Sequence, residues 1–273
     1  MRPAPISDIP EALCRRLLVF FTDIDDTLTA SGLLPAGSYA RLWDLTARGI
    51  EPVVVTGRPA GWCDLIARLW PVEAVIGENG ALIYAYRRQE KKMERIYLLS
   101  EQERQEGRRR LEAVRRRVLA EVPGCRIAAD QAFRLFDLAV DFREDVPPLG
   151  RDAVEKICRI AAAEGAVAKV SSIHVNCWYG DFDKVSGIEA FLRSRGRSLD
   201  RGNLQERVLF TGDSPNDEPM FRRLRHSVAV ANIREFLQQL EHPPRYLTAK
   251  PAAEGFCEAV DLILKKRGQP AGS

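Results

Sequence analysis

Runs of consecutive apolar residues, too short for helices, alternate along this chain with stretches whose apolar positions recur every three or four residues. Leu17-Leu18-Val19-Phe20-Phe21 precedes a helical pattern over residues 36–48, which Gly49 stops. "EPVVVTG" leads into "GWCDLIARLW", and "AVIGENGALIY" follows. Towards the end, "RVLFTGD" leads into a helix through "PMFRRLR", "SVAVAN" into "IREFLQQL", and "RYLTA" into "GFCEAVDLILKK". Continuous apolar strands separated by helices are the pattern of a parallel sheet covered on both faces and joined by right-handed crossovers. The predicted fold class is therefore α/β.

Residues 87–118 break that pattern. They read "RRQEKKMERIYLLSEQERQEGRRRLEAVRRRV", and the spacing of Leu111, Val114 and Val118 predicts one amphipathic helix for most of the stretch. Two strand-like pieces follow, "FRLFDLAVDF" among them. A second helix then carries Val154, Ile157, Cys158 and Ala161 on one stripe, and "AKVSSIHVNCWY" alternates as a strand. This block reads as an inserted α/β domain at 85–180, inside a core made of 1–84 and 181–273. There are no internal repeats and no low-complexity segments.

Charge narrows the classes of partner. The 273 residues carry 41 basic and 38 acidic side chains, a formal net charge of +3, which calls for neither nucleic acid nor membrane. The arginine triplets at 108–110 and 115–117 are interleaved with Glu101, Glu103, Glu106 and Glu112 and lack aromatic neighbours for base stacking, so they read as a solvated helix face. The six cysteines show no C-x-x-C spacing and read as buried reduced thiols. With neither an apolar run of membrane-spanning length nor a signal-like start, a cytoplasmic setting is expected.

Chemistry concentrates where predicted strands end, which is where open parallel sheets bind ligands. The first strand ends in Asp23-Ile24-Asp25-Asp26-Thr27, the second in Thr56-Gly57-Arg58, and a later one in Gly212-Asp213-Ser214-Pro215-Asn216-Asp217. Between them Lys184 opens a helix with Val185, Ile188, Phe191 and Leu192 on its apolar stripe. Acids are poor strand formers and repel one another, but a divalent cation makes such a cluster tolerable. Mg²⁺ takes oxygen ligands from a few carboxylates, substrate phosphate and water, and Asp23 and Asp213 supply the charge. A carboxylate also attacks phosphorus to give an acyl-phosphate. Asp25 is placed to act as acid and then base. The Thr56 hydroxyl, the Gly57 N–H and the Lys184 ammonium are donors for phosphoryl oxygens. Each motif alone has an ordinary explanation as a turn, a cap or a surface lysine. Their joint order at element boundaries does not.

Together these motifs resemble those of the haloacid dehalogenase superfamily, Mg²⁺-dependent phosphotransferases on a Rossmann-like parallel sheet. The resemblance implies that Asp23 is the nucleophile and Asp25 the acid/base, with Thr56 and Lys184 as the second and third motifs. It implies a metal site from Asp23, the backbone carbonyl of Asp25 and Asp213, with Asn216 and Asp217 at the supporting positions. An insert entered just after "ENGALIY" is similar to the type C2 cap. "TGRP", "ENGA" and "DKVSGI" resemble the branch containing the Cof-type, sucrose-phosphate and mannosylglycerate-phosphate phosphatases. One departure stands out: many of these proteins have Lys-Gly in the third motif, where this chain has Lys184-Val185-Ser186-Gly187. The implied activity is phosphomonoester hydrolysis on a sugar phosphate or similar small phosphorylated metabolite. A phosphomutase, a catalytically silent binding protein and a phosphorylation-switched receiver domain are the competing readings. A receiver is typically about half this length and carries no cap.

Alternation in "SSIHVNCWY" places Ser172, His174, Asn176 and Trp178 on one strand face and Ile173, Val175, Cys177 and Tyr179 on the other. The Ile173 face is apolar and suits the cap helices. The His174 and Asn176 face is expected to close over the substrate with Arg58, and Trp178 to offer a flat surface for a ring.

Overall fold

A computed structural model describes residues 2–268. In chain order the first half contributes β1 (Ala4–Pro5), α1 (Glu11–Arg16), β2 (Val19–Thr22), α2 (Ala36–Ala47), β3 (Glu51–Val55), α3 (Ala60–Leu69), β4 (Ala74–Gly77), β5 (Leu82–Arg87) and β6 (Lys92–Tyr97). Next come α4 (Glu101–Glu121), β7 (Arg126–Ile127), β8 (Leu138–Asp141), α5 (Arg151–Ala163), β9 (Val167–Val170) and β10 (His174–Trp178). The chain closes with α6 (Lys184–Ser194), β11 (Val208–Gly212), α7 (Glu218–Arg223), β12 (Ser227–Ala229), β13 (Tyr246–Leu247) and α8 (Ala252–Arg267).

Nine strands form one sheet in the order β1-β13-β12-β11-β2-β3-β4-β5-β6. Pairing is parallel from β1 to β4 and antiparallel for β4/β5 and β5/β6. The side chains of β2 divide between the two faces. Phe20 packs with Leu42, Leu45 and Phe256 of the helices on one side, and Val19 and Phe21 with Phe191 and Leu192 of α6 on the other. Both faces are covered, which explains why the central strands are apolar without a break. A second, antiparallel sheet of order β7-β8-β10-β9 packs its apolar face on α4 and α5, with Leu111, Val114, Val118, Ile157 and Ile160 meeting Val140, Val175 and Cys177.

Three expectations change here. Residues 85–97, read from the sequence as the start of the insert and, from 87 on, as part of a mostly helical stretch, are the rest of β5 and the edge strand β6 of the large sheet. The second sheet and its helices therefore begin only after Tyr97. An edge strand tolerates the charge of "KMERIY" because one rim and one face meet water. α4 is capped by Ser100, whose hydroxyl and Glu103 form a reciprocal capping box. "IREFLQQL" is not a helix but a 3₁₀ segment, Ala231–Glu235, followed by turns. "AKVSSIHVNCWY" is not one strand but two, β9 and β10, paired antiparallel through a turn at 171–173. The two helix-forming stretches at 101–121 and 151–163 do appear, with the arginine triplets of α4 on its solvent side and paired with Glu106, Glu112 and Glu121. All six cysteines are free thiols, four buried and two half-buried. Among the described residues no helix is long and apolar enough to cross a membrane.

Candidate active site

β2 pairs with β3 on one side and β11 on the other, so the order of strands reverses at β2. That reversal opens a crevice at the carboxyl ends of the three strands. Asp23 follows β2, Thr56 follows β3 and Asp213 follows β11, so backbone pairing alone brings the three motifs together. Lys184 arrives from the start of α6, where Asp183 caps the helix and forms a capping box with Ser186. The approach of this helix depends on two glycines. A Cβ on Gly187 would lie 2.7 Å from the Cα of Gly80, and one on Gly80, at φ +107°, would collide with the Asp183 carbonyl. The glycine three residues after Lys184 thus does the packing for the third motif, and "ENG" supplies its counterpart.

The Lys184 ammonium, 2% exposed, donates to Asp23 Oδ2 at 2.9 Å and to Asp217 Oδ1 at 2.6 Å. Burial works against its charge, but Asp217 and Asp23 outweigh it and hold the lysine above its ordinary value. Asp23 Oδ1 accepts from the Ile24 N–H at 2.7 Å. Asp217 Oδ2 accepts from the backbone N–H groups of Asp213 and Ser214, at 2.9 and 3.2 Å. Asp213 accepts from the Thr27 hydroxyl at 3.1 Å and from the Asn232 amide at 3.2 Å.

Asp23, Asp213 and Asp217 are all buried, and each offers a carboxylate oxygen within 4.8 Å of the others. Burial pushes the Asp23 carboxyl up to about 7, against Lys184 and with the charges of Asp217 and Asp25. Burial, then Asp217 and Asp23, push Asp213 well above the usual carboxylate range. Three acids facing one ammonium are short of positive charge, and an all-oxygen donor set of this kind fits a Mg²⁺ ion. The Asp25 carboxylate is not part of the cluster. It is turned to Arg58, which reaches its two oxygens at 2.7 and 3.0 Å. Asp26, the third acid of the opening motif, turns away at φ +54°, and its carbonyl accepts from Asn232.

Thr56 is fully buried, and its Oγ1 accepts from the Arg58 N–H at 3.1 Å. Asn216 is buried, and its side-chain oxygen accepts from Ser214. The second sheet comes down on this site through the β9–β10 turn. Asp23, Asp25, Gly57, Arg58 and Asn216 from below, and Ser172, Ile173, His174 and Asn176 from above, enclose about 10 Å³. That is roughly the room of one water molecule.

Two matches of sequence decide the family. Residues 20–105 match the model of the haloacid dehalogenase-like hydrolases, and residues 196–262 match that of sucrose-6F-phosphate phosphohydrolase. The chain is a phosphatase-type member of the haloacid dehalogenase superfamily. No curated protein sequence matches it significantly over its length. Similar solved structures include a Thermoplasma acidophilum protein at TM-score 0.68 and 16% identity, covering 90% of this chain and 98% of that one. The sucrose-phosphatase of Synechocystis, solved with sucrose and phosphate, has TM-score 0.63 and 15% identity, covering 91% and 98%. A subclass IIB sugar phosphatase has TM-score 0.60 and 16% identity, covering 89% and 98%. At these identities the structures establish the fold.

Within this superfamily member, the residues singled out from the sequence do converge: Asp23, Asp25, Thr56, Gly57, Arg58, Lys184, Asp213, Asn216 and Asp217 from the core, His174 and Asn176 from above. Two details differ. Trp178 presents no surface to the cavity; it is 1% exposed and stacks on Phe182 with ring centroids 5.4 Å apart. Ile173 leaves the helix side and sits in the turn that lines the cavity.

A set of ionic residues around the site was not legible in the sequence. Glu144, in the loop after β8, accepts from Arg58 at 2.7 Å and lies 2.9 Å from His174 Nε2. Arg134 pairs with Asp130 and Asp137 and donates to the Gly57 carbonyl at 2.9 Å. Asp137 in turn holds the Asn176 amide at 2.8 Å. Glu78 accepts from the backbone N–H groups of Leu135, Phe136 and Asp137. Arg134 and its two acids lie within eight residues of one another, but the fold alone brings them to Gly57, Glu78 and Asn176, and brings Glu144 to Arg58.

Proposed function

We propose that the protein is a Mg²⁺-dependent phosphomonoesterase acting on a sugar phosphate or a similar small phosphorylated metabolite. The observation that carries this reading is Lys184 set between Asp23 and Asp217, with Asp213 beside them, at the ends of adjacent parallel strands. The match to a sucrose-phosphate phosphohydrolase model and the likeness to sugar phosphatases support the substrate class.

In this reading Asp23 attacks phosphorus while Asp25 gives its proton to the departing ester oxygen. An aspartyl-phosphate forms and the alcohol leaves. Asp25 then takes a proton from water as that water attacks the same phosphorus, releasing phosphate and restoring Asp23. Lys184, the Thr56 hydroxyl and the Gly57 N–H supply donors for the phosphoryl oxygens. Asp23, Asp213 and the Asp25 carbonyl would hold the metal, with Asp217 and Asn216 in support. Bound there, Mg²⁺ supplies charge neutralisation for phosphate.

The enclosed space is far too small for a sugar phosphate. The insert at residues 98–180, taken as a cap domain, must lift before substrate enters. So closed a site also suits a mutase, whose aspartyl-phosphate has to survive until an isomer receives it. Phosphate release over a panel of sugar phosphates, nucleotides and cofactor phosphates, with and without EDTA, tests the main reading. Isomer formed faster than phosphate would favour the mutase, and metal-independent or absent hydrolysis across the panel would overturn the assignment.

A further inference from the structure

A second concave site lies at the opposite end of the large sheet. It is a cavity of about 650 Å³ lined by Arg193, Arg197, Ser198, Arg201, Asn203 and Arg207. Arg207 sits at the amino ends of the catalytic strands, since its carbonyl accepts from the Leu18 and Val19 N–H groups at the entrance to β2. Asp23 and Asp213 lie beyond the other ends of β2 and β11. At about 3.3 Å per residue, the two sites are roughly 15–20 Å apart.

The charge in this cavity is not balanced locally. The segment 193–207 contains five arginines but only two acids, Asp200 and Glu206. Both acids are taken by arginines from outside the segment: Asp200 by Arg223 at 2.7 Å and Glu206 by Arg225 at 2.5 Å. Arg197 is neutralised by Glu51, at 2.6 and 2.8 Å. Arg193 reaches Glu189 only at 4.0 Å, and Glu189 already accepts from Arg223 at 2.8 Å. Among the described residues, no carboxylate pairs with Arg201 or Arg207. Arg207 has only the Arg16 carbonyl, at 3.4 Å. Three arginines of the cavity lining thus have guanidinium donors to spare, and Ser198 and Asn203 add neutral donors to the same lining.

From this we infer that the cavity is a binding site for a small multivalent phosphate anion, distinct from the catalytic centre. Planar guanidinium forks match phosphate oxygens, and converging forks favour a chain of phosphates over a single one. The lining contains no aromatic ring on which a nucleic-acid base would stack, so the anion itself is what the site recognises. The same chemistry is offered by inorganic polyphosphate and by the triphosphate arm of a nucleotide.

Calorimetric titration of the full chain with sodium tripolyphosphate, in EDTA at low salt, tests this. Tripolyphosphate should bind at least tenfold more tightly than orthophosphate and weaken as salt rises. An Arg193→Glu, Arg201→Glu double variant should lose at least tenfold in that affinity while keeping its melting temperature and its hydrolysis of p-nitrophenyl phosphate. Arg201→Ala, at an exposed position, serves if the double variant does not fold, and should lose severalfold. ATP binding as tightly as tripolyphosphate supports a phosphate-only site, and tighter ATP binding supports the same site with a nucleotide as its source. Unchanged tripolyphosphate affinity in the variants would place that binding in the catalytic centre and overturn the inference. Equal affinity for orthophosphate, or a single-stranded oligonucleotide displacing tripolyphosphate at lower concentration, would overturn it as well.

Discussion

Arg58 holds Asp25 in a fork, Nη2 to Oδ1 at 2.7 Å and Nε to Oδ2 at 3.0 Å, while the same Nη2 reaches Glu144 at 2.7 Å. Its guanidinium also lies over the Trp62 ring, 4.4 Å from the centroid. One core arginine therefore ties the proposed acid/base to the second sheet and is itself held flat by an indole. Arg58→Ala frees the Asp25 carboxylate to rotate and leaves Glu144 with His174 alone. Hydrogen bonds to charged groups are worth about 1.5–3 kcal/mol, so kcat/KM should fall on the order of 10- to 100-fold. Arg58→Lys keeps the charge but not the fork and should restore only part of it. Steady-state kinetics of the three proteins decide the matter, and wild-type kcat/KM in Arg58→Ala would remove Arg58 from the site.

The acid cluster gives a prediction that does not need the substrate. If Asp23 and Asp213 hold Mg²⁺, with Asp217 in support, the ion binds the folded chain and not the unfolded one. At a concentration 100-fold above the dissociation constant this adds about 2.7 kcal/mol to stability. For a chain of this size the melting temperature should rise by roughly 5–10 °C. Asp213→Asn should lose most of that rise. Calorimetry with and without Mg²⁺ checks it, and identical melting curves for both proteins would count against a metal at this site.

Asp23→Asn tests the chemistry itself. An amide is no nucleophile, and loss of a nucleophile typically costs on the order of 10⁴-fold or more in kcat. The side chain is nearly isosteric, so the fold should survive. Phosphate release by the purified variant at more than a hundredth of the wild-type rate would exclude an aspartyl-phosphate at this residue.

What was legible in the sequence was the part built from local pattern. An apolar run that ends in acids, or in Thr-Gly, states both the strand and the chemistry at its end, and parallel pairing then fixes the neighbours. The capping box at Ser100 and Glu103 was equally readable and marks the true start of α4; charge density across 87–100 hid the edge strand β6 before it. "IREFLQQL" misled because Ile233, Phe236, Leu237 and Leu240 do have helical spacing, and all four pack against the α6/α7 side of the core. The segment is short, though, and Pro243 and Pro244 follow it, while isolated helices under about 12 residues are marginal. Its start is further tied by Asn232, which reaches back to Asp213 and to the Asp26 carbonyl. Glu144, Arg134 and Asp137 carry no such signal, because what gives them meaning is Gly57, Arg58 and Asn176 from other parts of the chain.

Glu144 should make stability sensitive to acid. Burial alone would raise its carboxyl, but hydrogen bonds from His174 and Arg58 and their charges bring it down to about 2. A carboxyl depressed in the folded state adds stability above its unfolded value, near 4.5, and that contribution is lost as pH falls towards 2. With the side chain partly exposed, the expected size is on the order of 1–2 kcal/mol. Urea midpoints at pH 7 and pH 3.5 should differ more for the wild type than for Glu144→Gln. An equal pH dependence in the two proteins would mean that the pair does not form in solution.

Selectivity is where the structure changes what the sequence implied. His174 and Asn176 do face the site, but neither is a free donor waiting for a hydroxyl: His174 rests on Glu144 and Asn176 on Asp137. Each is oriented by an acid, and those acids in turn bind Arg58 and Arg134, which touch Asp25 and Gly57. If this face recognises substrate, it does so only with the second sheet down on the core. His174→Ala and Asn176→Ala should raise KM for the physiological substrate on the order of 10-fold each, the value of a lost polar contact of about 1.5 kcal/mol. In the proposed mechanism a small generic ester such as p-nitrophenyl phosphate is held through its phosphate by Lys184, Thr56 and Gly57 below, and it should change little. Because Glu144 and Asp137 position these two side chains, Glu144→Gln and Asp137→Asn should show the same selective loss in weaker form. If all four variants affect both substrates equally, the face acts in closure alone and the specificity determinants lie in the 171–173 turn.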